Sequence, residues 1–497
     1  MKTKVVKVLG GKTAPDKPRK KSLPPKGHVY RYIVTCAQNA TAVNESCWQN
    51  ILALSAHYDA EILVSRFKYM RHMQLACRGE KPGEEKTIAD PDYFAPEIAQ
   101  YVMDKPVELA PELVFCGELQ ISPTAVNPMS GADNYTASKS SIIPHAKQYM
   151  KSVPTVKKNR TKFIYTTGTV TKRNYINARA GQRASFHHVY GALMVEVCDD
   201  GTWFVRQLQT DSDGVMYDLD VCADNGEVTT GHRAEAIIFG DTHVANMDSS
   251  VRAMSYDDDD SMMNVLRPKF QFLHDVFDGR SVNPHVAKGG LHHQRYRDYV
   301  ENNLDLEGEL RQLGIFLHAV KRQGTTTFIV NSNHDEFLAR WLRDSSYKND
   351  PKTAMLFLEA ELYMHKEIAK GRKPALLQFM VDKVCELPTP AVFLGEDQSL
   401  IICPDASGGI ECGVHGHKGP NGSRGSLISF ARMGRKCVFG HSHTAGQFEA
   451  ATQVGHSGKV DQGYNVGPDS WSWTHCVVYN NAKRALITMY AQKWRGK

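Results

Sequence analysis

The chain has 497 residues, of which 41% are hydrophobic and 23% charged, and its formal net charge is +6. This length allows two or three domains, and the composition is ordinary for a globular protein. The sequence has no apolar run long enough to cross a bilayer and no N-terminal secretory signal, and its 11 cysteines form no CxxC pair that would indicate a zinc knuckle or a disulfide framework. We therefore expect a cytoplasmic protein with reduced thiols and no membrane segment.

The positive charge is concentrated at the start of the chain. Residues 1–27 contain nine Lys or Arg and one acidic residue, Asp16, giving +8, so the remaining residues sum to −2. The segment has four prolines and few large apolar residues, so it cannot bury enough surface to fold alone. The sequence predicts a disordered basic tail, which either contacts nucleic acid or only keeps the protein soluble.

The next section predicts an N-terminal α/β domain over residues 28–230, whose role the sequence does not reveal. The β-branched and aromatic run Tyr30 to Thr35, helical spacing over 44–57 and the segment "AEILVS" together indicate a strand–helix–strand unit. Residues 80–112 have the composition of loops with one short helix, and short strands follow from 113 to 230, among them "ELVFCGEL", "KFIYTTGTV", "GALMVEVC" and "WFVRQLQ".

From residue 231 to 497 short apolar runs alternate with helical stretches, which predicts a second α/β domain. The predicted strands are "EAIIFG", "FQFLHD", "TTTFIVNSN", "SLIICPD" and "KCVFGHSH", and the predicted helices include 335–343 and "TAMLFLEAELYMHKEIAKG". Ligands in α/β folds gather at the carboxyl ends of the strands. Candidate functional residues are therefore expected in the loops that follow these runs.

Those loops carry side chains that bind metals. They are Asp241 and His243, Asp275 and Asp278, Asn333 with His334 and Asp335, His415 and His417, and finally His441 and His443. Two divalent ions about 3.5–4 Å apart need a shared carboxylate and further ligands around it. A mixture of imidazole and carboxylate suits Mn, Fe or Zn better than Ca or Mg.

The order D-x-H, D-x-x-D, N-H-D, H and G-H-x-H resembles the calcineurin-like metallophosphoesterase superfamily over roughly residues 231–480. The resemblance implies an αββα sandwich for residues 231–497 and two bound divalent ions, with Mn²⁺ favoured and Zn, Fe or Mg as alternatives. It also implies a ligand set by position: Asp241, His243, Asp275 and His443 for one ion, and Asp275, Asn333, His415 and His441 for the other.

The same resemblance implies roles for three further residues. His334 would contact the substrate phosphate and protonate the leaving oxygen, Asp335 would orient its ring, and Asp278 would support the ligand loop. The choice of His415 over His417 rests on family spacing alone. The chain also departs from the family, which usually has glycine at the positions of His274 and Ser332.

Three cations near these motifs are weaker candidates for substrate binding. Lys418 and Arg424 flank the Gly-rich turn "GPNGS", where cations and backbone amides together could hold a phosphate, and Arg280 follows the Asp278 motif.

The expected activity is hydrolysis of a phosphate ester. A looser similarity to early DNA-degrading proteins of T5-like bacteriophages includes "RYIVTCAQNAT", "FHHVYGALMVEV" and "YNVGPDSWSWTHCVVY". It favours a Mn-dependent deoxyribonuclease acting on DNA, in the host cytoplasm if phage-encoded, and a homo-oligomer is compatible with the sequence. The alternatives are a phosphodiesterase or phosphatase for small nucleotides and a non-catalytic scaffold with this fold.

Overall fold

The computed structural model describes residues 18–70, 90–156, 159–283, 296, 299–300, 304–406, 408–461, 465 and 467–497. Helices and strands alternate along much of this chain, so the predicted α/β class is confirmed.

The first thirteen strands precede residue 231. They are β1 (Arg19–Lys20), β2 (Val29–Gln38), β3 (Ala60–Phe67), β4 (Pro106–Ala110), β5 (Leu113–Cys116), β6 (Ser140–Ile143), β7 (Met150–Val153), β8 (Lys162–Thr166), β9 (Gly191–Cys198), β10 (Trp203–Gln209), β11 (Met216–Asp218), β12 (Val221–Asp224) and β13 (Glu227–Thr229). The remaining strands are β14 (Ala236–Ile238), β15 (Phe270–His274), β16 (Thr326–Val330), β17 (Val392–Phe393), β18 (Ile401–Ile402), β19 (Ile410–Glu411), β20 (Lys436–Phe439), β21 (Gly446–Phe448), β22 (Ala451–Gln453), β23 (Thr474–Val478) and β24 (Arg484–Thr488).

The α-helices of the described residues lie mostly in the second half of the chain. They are α1 (Glu45–Tyr58), α2 (Arg179–Phe186), α3 (Ser249–Arg252), α4 (Met262–Leu266), α5 (Leu306–Ala319), α6 (Asp335–Asp344), α7 (Ala354–Ala369), α8 (Leu376–Cys385) and α9 (Leu427–Phe430).

The predicted strand–helix–strand unit is confirmed. Strands β2 and β3 pair in parallel, with α1 between them in the chain, and Asn44 caps α1 by accepting a hydrogen bond from the backbone N–H of Cys47. These strands form the four-stranded sheet β10-β9-β2-β3. Residues 71–89 lie outside the described residues, and they include 80–89 of the segment 80–112 that is expected to be loops and a short helix. The described part of that segment holds a 3-10 helix, Pro96–Tyr101, and the strand β4, which the composition did not indicate.

The sheet that carries the candidate site has the order β17-β16-β15-β14-β23-β24, and β14 to β17 are parallel. Successive residues on a strand face opposite sides of the sheet. Ile237, Leu273 and Ile329 accordingly pack in one core with helices α5 and α8. Their neighbours Ile238, Phe272 and Val330 pack in another core with residues of β19 and β20.

A second sheet therefore lies against the first. Its eleven strands have the order β1-β4-β5-β6-β8-β7-β21-β22-β20-β19-β18, and the outer face of its β20 packs against Phe430 of α9. This sheet contains strands from both sides of residue 230, because β7 pairs with β21. The boundary at 230 stays a prediction from the sequence pattern, and it is not a boundary between sheets.

The N-terminal segment differs in part from the expected tail. Residues 1–17 lie outside the described residues, but Arg19 and Lys20 pair in parallel with Val107 and Glu108 at the edge of the large sheet, and Lys21 forms an ion pair with Glu61. An edge strand offers unpaired backbone groups to any adjacent segment, which explains why a sequence with little apolar character is held there.

In the part of the chain that the structure describes, we find no helix with the length and hydrophobicity needed to cross a membrane.

Candidate metal centre

The predicted site residues come together at one edge of the first sheet. Asp241 and His243 follow β14, Asp275 follows β15, and Asn333 and His334 follow β16. Because these three strands are parallel neighbours, their carboxyl ends meet at the same edge.

Four of these side chains form a buried group. One ligand atom from each of Asp241, His243, Asp275 and His443 lies within 4.8 Å of the others. The Nε2 atoms of His243 and His443 are 3.1 Å apart, and Asp241 Oδ2 is 3.1 Å from His443 Nε2. These are the same four residues that the family resemblance implies for one ion, and the group could hold a metal ion.

The second predicted ligand set lies beside this group. His415 Nε2 is 3.5 Å from Asp275 Oδ2, and the ring centroids of His415 and His441 are 5.3 Å apart. His417 Nε2 instead lies 3.9 Å from Glu336 Oε1, away from Asp275. This placement favours His415 over His417 as the residue that faces the shared carboxylate.

The donor atoms fit a metal. Asp275 Oδ1 and Asn333 Oδ1 are buried, and no described residue forms a hydrogen bond with either atom. Buried polar atoms normally have such partners, so each atom left without one needs an explanation. Carboxylate, amide and imidazole donors converging on one place, with oxygens left free, are what a bound divalent ion would use.

For His243 and Asp275 of the buried group, the neighbouring acids and imidazoles shift the pKa by more than burial shifts it the other way. Burial alone would lower the pKa of His243, but its hydrogen bond to Asp278 and the charges of Asp278, Asp275 and Asp241 raise that pKa to about 9. Burial alone would raise the pKa of Asp275, yet the neighbouring His334 and His415 hold it well below its usual range. The ionised form of Asp275, which is the form that binds a metal ion, is therefore favoured.

The backbone is strained at the ligand positions. His243, Asp275, His441 and His443 all have positive φ, at 45°, 47°, 76° and 60°. Residues with a side chain rarely adopt this conformation, and where they do the surrounding structure must enforce it. Here it lets short loops turn directly from the strand ends and aim the side chains at one point.

Gly440 makes room for Asp241. A Cβ atom at residue 440 would lie 2.2 Å from Asp241 Oδ1, so only glycine fits beside that carboxylate.

We expect Gly440→Ala to displace Asp241 and to lower the affinity for metal by at least about tenfold, because loss of a contact that orients a ligand has an effect of this size. Metal titration by calorimetry checks this, with Gly395→Ala as control, because a Cβ there meets only a glutamine side-chain oxygen at 3.6 Å. Equal metal affinity in both variants would contradict the assignment of Asp241 as a ligand.

His334 faces the site, but Asp335 does not orient it. His334 Nδ1 lies 2.8 Å from the backbone oxygen of Asp278, and its Nε2 lies 3.9 Å from Asp275 Oδ2. Asp335 instead accepts hydrogen bonds from the Ser332 backbone N–H and from the side chains of Ser332 and Asn331. The expected Asp335–His334 pairing is wrong: Asp335 opens helix α6 and folds back onto the loop before it.

Asp278 and His274 surround the ligands. Asp278 accepts hydrogen bonds from the Ala245 backbone N–H and the Asn246 side chain, and its Oδ1 lies 3.4 Å from His243 Nδ1, so it holds the loop of His243 as expected. His274 is fully buried, and its Nδ1 lies 3.4 Å from His415 Nδ1. His274 thus packs behind a predicted ligand, at a position where the superfamily that the motifs resemble usually has glycine.

The three candidate cations have different surroundings. Lys418 forms ion pairs with Glu336, at 2.7 Å, and with Glu396. Two carboxylates therefore neutralise its charge, which does not favour the expected role as a phosphate contact. Arg424 is exposed; the pKa of His441 is lowered mainly by burial, with a smaller contribution from the charge of Arg424, which places Arg424 near the site. Arg280 begins a 3-10 helix after Gly279, and its backbone N–H donates to Glu309.

Two residues beside the site gave no usable signal in the sequence. His456 is fully buried, and its ring stacks on that of His443 with centroids 5.2 Å apart. The Trp471 ring centroid lies 4.3 Å from that of His443. Neither belongs to a metal-ligand motif, and both lie in the long connection between β22 and β23.

Comparison with known proteins places the chain among phage proteins. No family model matches it, and no solved structure matches it. The chain is 37% identical over 469 residues to Protein A1 of Escherichia phage T5, and the match covers 92% of this chain and 81% of that protein. The expected relationship to a T5-like phage protein is confirmed, and at this identity and coverage the chain belongs to the same family as Protein A1 of phage T5.

Proposed function

We propose that the chain is a phosphodiester hydrolase of the calcineurin-like metallophosphoesterase type, which uses two divalent ions, preferably Mn²⁺, and acts on DNA. The observation that carries the proposal is the buried group Asp241, His243, Asp275 and His443 at the ends of parallel strands, with His415 and Asn333 beside it. Two facing sheets with helices outside them, as the resemblance implies, also support it.

The hydrolysis forms a bond between a water oxygen and phosphorus, breaks the ester P–O bond and leaves a proton on the departing oxygen. When bound, two divalent ions lower the pKa of water and neutralise charge on the phosphate oxygens. The residues supply the rest: Asp241, Asp275, Asn333 and the histidines would hold the ions, and His334 would serve the leaving oxygen.

The geometry of His334 suits that task. Donation from its Nδ1 to the Asp278 carbonyl oxygen fixes the ring and directs Nε2 towards Asp275. In the imidazolium form Nε2 carries the proton that the leaving oxygen needs. Because Nδ1 stays engaged with a backbone oxygen, that proton transfer does not require the ring to move.

DNA is favoured over small nucleotides by two features. The first 27 residues carry a charge of +8, which attracts a polyanion. The sequence also resembles early DNA-degrading proteins of T5-like bacteriophages. A plasmid-nicking assay beside hydrolysis of bis-p-nitrophenyl phosphate and of a cyclic nucleotide tests the choice, because cleavage of small substrates without nicking would favour the small-nucleotide alternative.

We expect activity to require added metal. Chelator-treated protein should cleave neither plasmid DNA nor bis-p-nitrophenyl phosphate, and Mn²⁺ should restore both activities better than Mg²⁺ or Ca²⁺, because imidazole ligands suit Mn better than these harder ions. Initial rates after titration with each ion measure this. Full activity in excess chelator would overturn the metal-dependent mechanism.

A further inference from the structure

A cavity of about 170 Å³ lies directly beside the candidate metal centre. His456 and Phe163, which are fully buried, line its inner part, and Tyr490 and Val460, which are 38% and 39% exposed, line its mouth. The cavity therefore opens to solvent at one end and is closed by buried side chains at the other.

The cavity shares a wall with the metal centre. Trp471 and His456 both line it, and both rings contact the ring of His443, with centroids 4.3 Å and 5.2 Å away. Trp473 and Tyr490 add further aromatic surface to the lining. Only the rings of Trp471 and His456 would then separate a planar group in this cavity from His443, a predicted metal ligand.

Polar groups of both hydrogen-bonding types also line the cavity. The Arg160 guanidinium lies 3.8 Å from the Trp203 ring centroid and 4.4 Å from that of Tyr490. Its Nε atom is buried and has no hydrogen-bond partner among the residues that the structure describes. Asp469 adds carboxylate oxygens, which accept hydrogen bonds from the Asn465 side chain and from the Trp471 backbone N–H.

The inner wall contains a further group that lacks a partner. His456 is fully buried, yet within the described part of the chain neither of its ring nitrogens has a hydrogen-bond partner. Buried polar groups are costly when they are left unpaired. A ligand with polar edges would complete the hydrogen bonding of both His456 and Arg160.

We propose that this cavity binds one unpaired nucleobase of the DNA strand whose phosphodiester lies at the metal centre, an inference that rests on the proposed function. Nucleobases stack on aromatic side chains, and their edges carry hydrogen-bond donors and acceptors. Paired bases inside a duplex present no free face to such a cavity. The enzyme would therefore favour single-stranded DNA or positions where a base has left the stack.

The test compares strands with and without bases. Full-length protein is loaded with Ca²⁺, which we expect to support little turnover, and titrated with a labelled thymidine octanucleotide and with an abasic octamer of the same length, read by fluorescence polarisation. Stacking is worth about 1–3 kcal/mol per base, so Tyr490→Ala should weaken binding of the thymidine strand about 5- to 150-fold and leave the abasic strand unaffected.

Two control variants sharpen the comparison. Tyr347→Ala removes a ring of similar exposure, 40%, that does not line the cavity, and it should bind both strands like the unaltered protein. Tyr490→Phe keeps the stacking surface and should retain binding of the thymidine strand. Equal binding of the two strands by the unaltered protein, or equal affinities of Tyr490→Ala and Tyr347→Ala, would overturn the proposal.

Cleavage of a strand without bases separates this inference from the proposed function. The abasic octamer has no aromatic ring to place in the cavity, so Tyr490→Ala should hydrolyse it in Mn²⁺ at the rate of the unaltered protein. If no variant hydrolyses it while the strand preference persists, the proposed hydrolysis fails and the base cavity stands. If hydrolysis is normal and the strand preference is absent, the cavity assignment fails alone.

Discussion

Replacing Asp275 by asparagine is expected to abolish metal binding and activity more completely than any other single change in the site. Asp275 Oδ2 lies 3.8 Å from His243 Nε2 and 3.5 Å from His415 Nε2, so this carboxylate faces both predicted ligand sets. An amide has no charge with which to hold two cations. Metal content should fall towards zero per chain, as measured by atomic emission after dialysis, and DNA cleavage should fall to background.

The matched comparison is His415→Gln, which removes a ligand from one predicted ion only. We expect that variant to retain about one ion per chain, because the group Asp241, His243, Asp275 and His443 is left intact. Both proteins should be checked for unchanged secondary structure by circular dichroism. An Asp275→Asn protein that keeps two ions and near-normal turnover would show that the shared ligand lies elsewhere.

Replacing His334 by glutamine should leave both ions bound and slow the reaction. General acid catalysis by histidine contributes about 10²–10⁴ in rate, so turnover on DNA should fall within that range. Turnover on bis-p-nitrophenyl phosphate should fall less, because p-nitrophenolate leaves without a proton. Steady-state rates on the two substrates, with metal content measured on the same samples, check both statements.

The outcome separates three roles for His334. Equal losses on the two substrates would mean that the ring stabilises phosphate charge and does not supply a proton. Loss of metal would make His334 a ligand, a role that the family resemblance does not imply for it. Asp335→Asn is the control for the rejected pairing: since Asp335 bonds to Asn331 and Ser332, it should affect stability more than the pH dependence of turnover.

Local sequence was sufficient to locate most of the secondary structure and the candidate ligands. Strands β14, β15 and β16 are short apolar runs, and Asp241, Asp275 and Asn333 follow directly where the chain leaves the sheet. In parallel strands the carboxyl ends must share an edge, so motifs far apart in the chain could be placed together from their position after each strand. The β2–α1–β3 unit was predictable for a similar reason, since its periodicities are local.

Contacts between distant segments could not be predicted in this way. The sequence placed Asp335 beside His334 because they are adjacent, yet the partner of His334 is the backbone oxygen of Asp278, 56 residues earlier. Lys418 looked available for phosphate, but the fold brings Glu336 and Glu396 to it. Side-chain pairing of this kind depends on how loops pack, and composition carries no information about it.

The same limit applies to the aromatic cavity and to the joining of the two halves. His456, Asp469, Trp471 and Trp473 all lie in the connection between β22 and β23, whereas Arg160 and Tyr490 reach the cavity from other loops. Strand β7 pairs with β21 across nearly 300 residues, which no local periodicity encodes. Which groups stand at the strand ends could be inferred from local sequence alone. Their partners depend on tertiary packing, because hydrogen bonds and ring contacts form between atoms that are close in space whatever their separation along the chain.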